Sequence, residues 1–188
     1  MGARGNRTVT TPTAYEEPVL LTGLKPLLDQ AEANGCFNGD QLDIEKVVEY
    51  VSSTNPTEPL RLEYVVMEPA TSGSLTYKEG VWVIKVNKQQ NIRRQRFTIA
   101  HELGHYMMHR NKSESFTDEV FFRTEKKDII EYRANEFASQ LLMPDLRVRK
   151  AIADGERNLG KLAERFNVSS AAMKVKVQEL GFKLKQNE

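Results

Sequence analysis

Apolar residues recur every three or four positions in several stretches of the chain, with polar residues between them. In "IEKVVEYVS" (44–52), the first, fourth, fifth and eighth residues are aliphatic, which places them on one face of a helix. The same spacing predicts three further helices, at residues 19–33, 94–109 and 127–143. Each helix needs a core that covers its apolar face, so the pattern predicts a globular chain.

Shorter segments rich in β-branched and aromatic residues predict three strands, at residues 61–67, 73–78 and 81–86. Turn-forming residues around Lys78, Glu79 and Gly80 separate the last two segments and predict a β-hairpin. A small sheet accompanied by separate helices is typical of an α+β fold.

The C-terminal part, "NLGKLAERFNVSSAAMKVKVQELGF", has the apolar spacing of two helices joined by a short turn, as in a helix-turn-helix. Ser169 or Ser170 is suited to cap the second helix, and Gly181 to end it. Serines and alanines occupy the start of that helix, where DNA recognition needs basic or amide side chains. Because Lys174 and Lys176 are its only cations, the sequence favours packing onto the rest of the chain, or docking of a protein, over DNA binding.

These patterns divide the chain into three parts. Residues 1–18 are rich in Gly, Thr and Pro and predict a flexible N-terminal tail. Residues 19–150 form the predicted main domain, and residues 151–188 the helix-turn-helix-like region.

Charge and composition exclude several classes of protein. The 27 basic and 26 acidic residues give a formal net charge of +1, so the chain as a whole has no basic character suited to nucleic acid or acidic membranes. Cys36 is the single cysteine and excludes both an internal disulfide and a cysteine-based zinc finger. No apolar run approaches a membrane span, and the first residues lack a secretory signal. We therefore expect a cytoplasmic protein without a membrane partner, and the oligomeric state is left open.

All three histidines of the chain lie in "FTIAHELGHYMMHRN" (97–111). His101 and His105 are four residues apart, so on a helix their imidazoles can reach one point, as two ligands of a zinc ion do. Glu102 lies about 100° around the helix from His101 and flanks that point, where its carboxylate can accept a proton from water that the ion polarises. This H-E-x-x-H pattern is typical of hydrolytic metal sites. The ligand types favour zinc but leave Mn, Fe and Co open.

A third protein ligand is expected in the next predicted helix. Glu131 neighbours the apolar stripe of that helix, whereas Glu136 falls on the opposite face. We therefore predict that Glu131 completes the metal site. Asn135, four residues later on the same face, is expected to hydrogen bond a ligating histidine or to be an ordinary polar residue of the helix surface.

Other side chains near the motif have less certain roles. His109 lies about 12 Å along the helix from His101, which favours a position at the rim of the site or at the helix C-terminus over metal binding. A group that stabilises the tetrahedral intermediate is also expected. His109, Tyr106 and Tyr132 are the candidates, and the sequence does not rank them.

Two motifs together, "RFTIAHELGHYMMHRN" and "EYRANEFASQLLMP", resemble the paired signature of the ImmA/IrrE family of zinc-dependent metallopeptidases, which are relatives of the thermolysin-like zincins. With the preceding strands, the resemblance covers about residues 60–144. It implies a zincin-like minimal core: a small sheet, an active-site helix and a glutamate-bearing helix. It also implies that His101, His105 and Glu131 are the metal ligands and Glu102 the catalytic glutamate.

The resemblance further implies a cytoplasmic endopeptidase that cuts a helix-turn-helix repressor of a mobile-element or stress-response locus, so that cleavage relieves repression. If the strand at 81–86 forms a sheet edge, a substrate segment could add to it by main-chain pairing, and Trp82 would be either a specificity contact or a core residue. The alternative function is a non-cleaving regulatory protein that uses the same fold to bind a repressor or DNA. The neighbouring position of Glu102 favours the enzyme, because a pure binder has no need of it.

Overall fold

The computed structural model describes residues 19–110, 115–117 and 125–183. The predicted tail at residues 1–18 lies outside the described residues. Within them the helices are α1 (Val19–Ala33), α2 (Ile44–Thr54), α3 (Ile92–His109), α4 (Glu125–Leu142), α5 (Asp145–Ala153), α6 (Leu159–Phe166) and α7 (Ser170–Glu179). The strands are β1 (Phe37–Asn38), β2 (Gln41–Leu42), β3 (Leu60–Val65), β4 (Gly73–Lys78), β5 (Val81–Asn87) and β6 (Ser115–Thr117). This mixture of helices with two small sheets confirms the α+β class.

The larger sheet has four strands in the order β3-β5-β4-β6. β4 and β5 form the predicted antiparallel hairpin, in which Lys78 pairs with Val81. Glu79 and Gly80 have φ values of 52° and 83°, which is the left-handed backbone that a two-residue hairpin turn requires. β3 lies parallel to β5 on its other side.

The hypothesis that the strand at 81–86 offers a free sheet edge is wrong. β5 lies inside the sheet, because β3 and β4 pair with it on both sides and satisfy its main-chain groups. Trp82 is only 2% exposed and packs against Tyr77 and Tyr106, so it is a core residue. Its burial follows from the period of two along β5, whose inward positions also include Ile84 and Val86.

Helix α3 lies against β4 and β5 and also contacts α4. Gly104 allows the two helices to approach closely: a Cβ at this position would lie 3.1 Å from Phe137 Cδ1 and 3.4 Å from Ala134 Cα. A glycine inside a helix costs about 1 kcal/mol relative to alanine, and this close contact offsets that cost. The approach brings the histidine-bearing face of α3 onto α4.

Helix α5 was not predicted, because Pro144 was expected to end the helical pattern. Pro144 instead occupies the N-cap of α5, whose inward residues Val148 and Ala151 are buried. No side chain caps this helix, so tertiary burial is what stabilises it.

Helices α6 and α7 are joined by three residues and share the core of the preceding elements. Ser169 caps α7 by accepting a hydrogen bond from the main-chain N–H of Ala172 at 3.1 Å. Of the two predicted caps, Ser169 and Ser170, the first is therefore the one observed. Lys176 is 1% exposed and its Nζ lies 2.5 Å from Asp145 Oδ1 on α5. This cation is therefore not available to a nucleic acid.

Arg96 links α3 to β2 and to the segment between α6 and α7. Its guanidinium donates to the main-chain oxygens of Leu42, at 2.8 Å, and Asn167, at 3.2 Å. Burial lowers the pKa of Arg96, and the two carbonyl acceptors compensate for part of the lost hydration.

Among the described residues, no helix combines the length and apolarity that crossing a bilayer requires.

Candidate metal centre

Three potential metal ligands converge between α3 and α4. The Nε2 atoms of His101 and His105 lie 3.0 Å apart. Glu131 Oε2 lies 3.2 Å from His101 Nε2, and its Oε1 lies 3.5 Å from His105 Nε2. The two histidines are adjacent because they are one helical turn apart, and Glu131 reaches them because of the close contact at Gly104.

These distances fit a tetrahedral metal site. Ligand atoms bound to zinc at about 2.0–2.2 Å in tetrahedral geometry are about 3.3–3.6 Å apart. The three observed separations of 3.0, 3.2 and 3.5 Å come close to these values. Two imidazoles with one glutamate are also a donor set of catalytic zinc sites.

Asn135 holds the His101 ring from behind. Its Oδ1 lies 3.0 Å from His101 Nδ1, and an amide oxygen can only accept a hydrogen bond. This contact therefore favours the tautomer with the proton on Nδ1, and it leaves the lone pair of Nε2 directed at the cluster.

Replacing Asn135 should weaken metal binding without removing a ligand. We expect Asn135→Ala to lower zinc affinity about 10–100-fold, because such outer partners orient the ligand and fix its tautomer. Asn135→Asp retains an oxygen acceptor and should recover most of the affinity. Competition with a chromogenic chelator measures both. Equal zinc affinity in the alanine variant and the parent would show that the contact is incidental.

The Glu131 carboxylate is partly buried between the two histidines and stays ionised there. The Glu131 side chain is 28% exposed, and those of His101 and His105 are 7% and 2% exposed. Burial raises the pKa of the Glu131 carboxyl, but hydrogen bonds from His101 and His105, which require protons on their Nε2 atoms, and the charge of those rings outweigh burial and hold that pKa below its ordinary value. A metal would replace these protons. An ionised carboxylate is the form that a metal requires.

Glu102 lies beside the cluster and is 1% exposed. The first residue of β4, Gly73, lies directly against it: a Cβ on Gly73 would be 3.4 Å from Glu102 Oε1, and only 2.4 Å from Thr98 Cγ2 and 2.7 Å from the Lys85 main-chain oxygen. Only glycine fits this contact between the sheet and α3. Gly73 was not among the predicted site residues, and its position at the start of a strand was its single signal.

The three candidates for stabilising the tetrahedral intermediate, Tyr106, Tyr132 and His109, have different positions. Tyr106 has no exposed surface, and its hydroxyl donates to the main-chain oxygen of Glu58 at 2.7 Å. Its interpretation as a group that contacts a transition state is therefore not supported, because the hydroxyl points into the core. Tyr132 is 68% exposed. His109 is the last residue of α3, and its side chain lies outside the described part of the chain.

A cavity of about 220 Å³ opens at the cluster. It is lined by Arg94, Phe97, Thr98, His101, Glu131 and Asn135. Arg94, Phe97 and Thr98 were not among the predicted site residues. Their spacing of seven, four and three residues before His101 places them on its helix face, which is the signal that could have identified them.

Comparison with known proteins gives two matches. The family model described as the IrrE N-terminal-like domain, a peptidase family, matches residues 60–178. Metallopeptidase ImmA of Bacillus subtilis (strain 168) is 32% identical over 102 residues, which cover 53% of this chain and 57% of that protein. The similarity to this relative thus spans just over half the length of each protein, whereas the family match includes all the cluster residues described above.

Proposed function

The chain belongs to the ImmA/IrrE family of metallopeptidases, and from this premise we propose that it is a metal-dependent endopeptidase that cleaves a specific protein. One observation carries the proposal: three ligand atoms of His101, His105 and Glu131 lie within 4.8 Å of one another, with Glu102 adjacent on the helix. A binding module would need neither the convergent ligands nor the neighbouring carboxylate.

We propose that His101, His105 and Glu131 hold the cation, and that zinc is the preferred one over Mn, Fe or Co. When bound, such a cation supplies Lewis acidity that polarises a peptide carbonyl and acidifies water. The ligand separations and the tautomer of His101 that the contact with Asn135 favours support this assignment.

The residues of the chain would then divide the proton transfers and the orientation of the site. Glu102 would accept the proton of the attacking water and return it to the leaving amine, a role in which a positioned carboxylate contributes about 10²–10⁴-fold. Gly73 would set its position by letting β4 lie against α3. Of the two tyrosine candidates for stabilising the developing negative charge, Tyr132 is the exposed one.

We further propose that the substrate is a helix-turn-helix transcriptional repressor and that its cleavage causes derepression. The support is the family resemblance of the two motifs. On this view the zincin-like core cuts the substrate, and α6 and α7 take part in docking or in packing rather than in DNA binding, since Lys176 is buried against Asp145.

The substrate can be tested with a helix-turn-helix repressor if one is encoded beside the gene for this chain. We expect incubation of that purified repressor with the zinc-loaded chain to yield two fragments from one cut, detected by intact-mass spectrometry, and no fragments in excess chelator. An unrelated helix-turn-helix repressor is the control. If the partner binds stably and relieves repression but stays intact, the chain is the non-cleaving regulator instead.

A further inference from the structure

Arg94 lies in the cavity that contains the metal cluster. It precedes His101 by seven residues on α3, so its Cα is about 10 Å from that of His101 along the helix axis. Both side chains line the cavity of about 220 Å³, together with Phe97 and Thr98. A cationic group is therefore present at one end of the cavity and the cluster at the other.

The guanidinium of Arg94 is held in place by a neutral partner. Its Nε and Nη2 donate to Ser72 Oγ at 3.1 and 2.8 Å. Ser72 is 2% exposed, and Gln90 Nε2 also donates to its hydroxyl, at 3.2 Å. The buried serine thus orients the guanidinium without neutralising it.

Some arginines of the described chain have a carboxylate partner, whereas others, such as Arg96 and Arg149, donate only to main-chain oxygens. Arg110 pairs with Glu58, Arg147 with Glu32 and Asp40, and Arg165 with Asp40. Arg94 has no carboxylate within 4.0 Å among the described residues, and its Nη1 makes no hydrogen bond there. The charge of Arg94 and the N–H groups of its Nη1 atom therefore remain available to a ligand.

We propose that Arg94 is a specificity residue that binds a carboxylate of the peptide substrate; this rests on the proposed peptidase function. A guanidinium presents parallel N–H donors that match a carboxylate. Because an extended peptide advances about 3.3 Å per residue, the Cα separation of about 10 Å along the helix corresponds to about three residues, so we place the recognised carboxylate up to three residues from the scissile bond. The carboxylate belongs either to an acidic side chain or to the C-terminus of the substrate.

The test uses peptide hydroxamates, whose metal-binding group anchors them to the zinc-loaded chain without any hydrolysis. Two series carry the hydroxamate at the C-terminal or the N-terminal end, with Glu or Gln at the first, second or third residue. A further pair ends in a free carboxylate or a carboxamide. Calorimetric titration gives each affinity for the parent chain, Arg94→Gln and the neighbouring control Arg93→Gln.

We expect the Glu probe, or the free-carboxylate probe, to bind the parent chain about tenfold more tightly than its neutral partner at one spacing. The preference should disappear in Arg94→Gln, persist in Arg93→Gln and weaken in 1 M salt, because the arginine is solvent accessible. Ser72→Ala should reduce it, since the guanidinium loses its orientation. If Arg94 had only a structural role, Arg94→Gln would weaken the binding of the charged and the neutral probes equally.

The proposal is overturned if no spacing shows a preference in the parent chain, or if the preference survives in Arg94→Gln. Failure of the probes to bind the zinc-loaded chain at all would overturn both this assignment and the metal site. A preference that depends on Arg94, in a chain that hydrolyses no protein, would support this site and contradict only the peptidase function.

Discussion

Glu102→Gln is expected to lower kcat for substrate cleavage by about 10²–10⁴-fold, the usual contribution of a positioned general base. The amide has nearly the same shape as the carboxylate but cannot accept a proton from water. Glu102 is adjacent to the ligands yet is not one of the three clustered residues, so the variant should still bind zinc with the parent stoichiometry.

Single-turnover cleavage of the repressor, together with the zinc content of the same preparation, measures this effect. Glu63→Gln is a suitable control, because Glu63 is an exposed glutamate of β3. Full cleavage by the Glu102 variant would contradict the role of general base. Full relief of repression by a zinc-loaded but inactive variant would contradict the peptidase function itself and favour the binding alternative.

Glu131→Ala should have the second large effect, on the metal rather than on the chemistry. It removes the one anionic group among the three clustered ligands and leaves two imidazoles to hold the ion. We expect zinc affinity to fall by more than the roughly 10–100-fold that loss of an outer partner costs, with cleavage lost at limiting zinc.

The zinc content of the dialysed protein, measured by elemental mass spectrometry, tests this expectation. Glu136→Ala is the matched control, because Glu136 is an exposed residue of the same helix, five positions further on. Excess zinc should restore part of the activity of Glu131→Ala and none of that of Glu102→Gln. Stoichiometric zinc in dialysed Glu131→Ala would show that another group is the third ligand.

The local pattern was sufficient for six of the seven described helices and for part of the larger sheet, whereas α5, β1, β2 and β6 were not predicted. α1 has the predicted limits, α2 and α3 begin or end within two residues of them, and the β4–β5 hairpin turns at Glu79 and Gly80. These features depend on contacts between residues close in sequence, such as the four-residue spacing of His101 and His105. The proximity of His101 and His105 could be predicted for the same reason, since the two residues are one helical turn apart on α3.

Contacts between segments that are distant in sequence could be predicted only in part. The face of α4 favoured Glu131 over Glu136, and the structure places its carboxylate against both histidines. The pairing itself depends on the contact of Gly104 with Phe137 and Ala134, about thirty residues away. Tyr106 shows the converse: its sequence position beside His105 suggested the site, but its side chain points into the core.

The sequence by itself determined most of the longer helices and strands, the α+β class and the histidine pair with its adjacent glutamate, because these are set by spacing along one segment. Only the tertiary structure decided that β5 lies inside the sheet, that Gly73 supports Glu102 and that Arg94 shares a cavity with the metal cluster. Each of these depends on which segments pack together. Packing is governed by burial and close contact across the whole chain, which periodicity within a segment does not record.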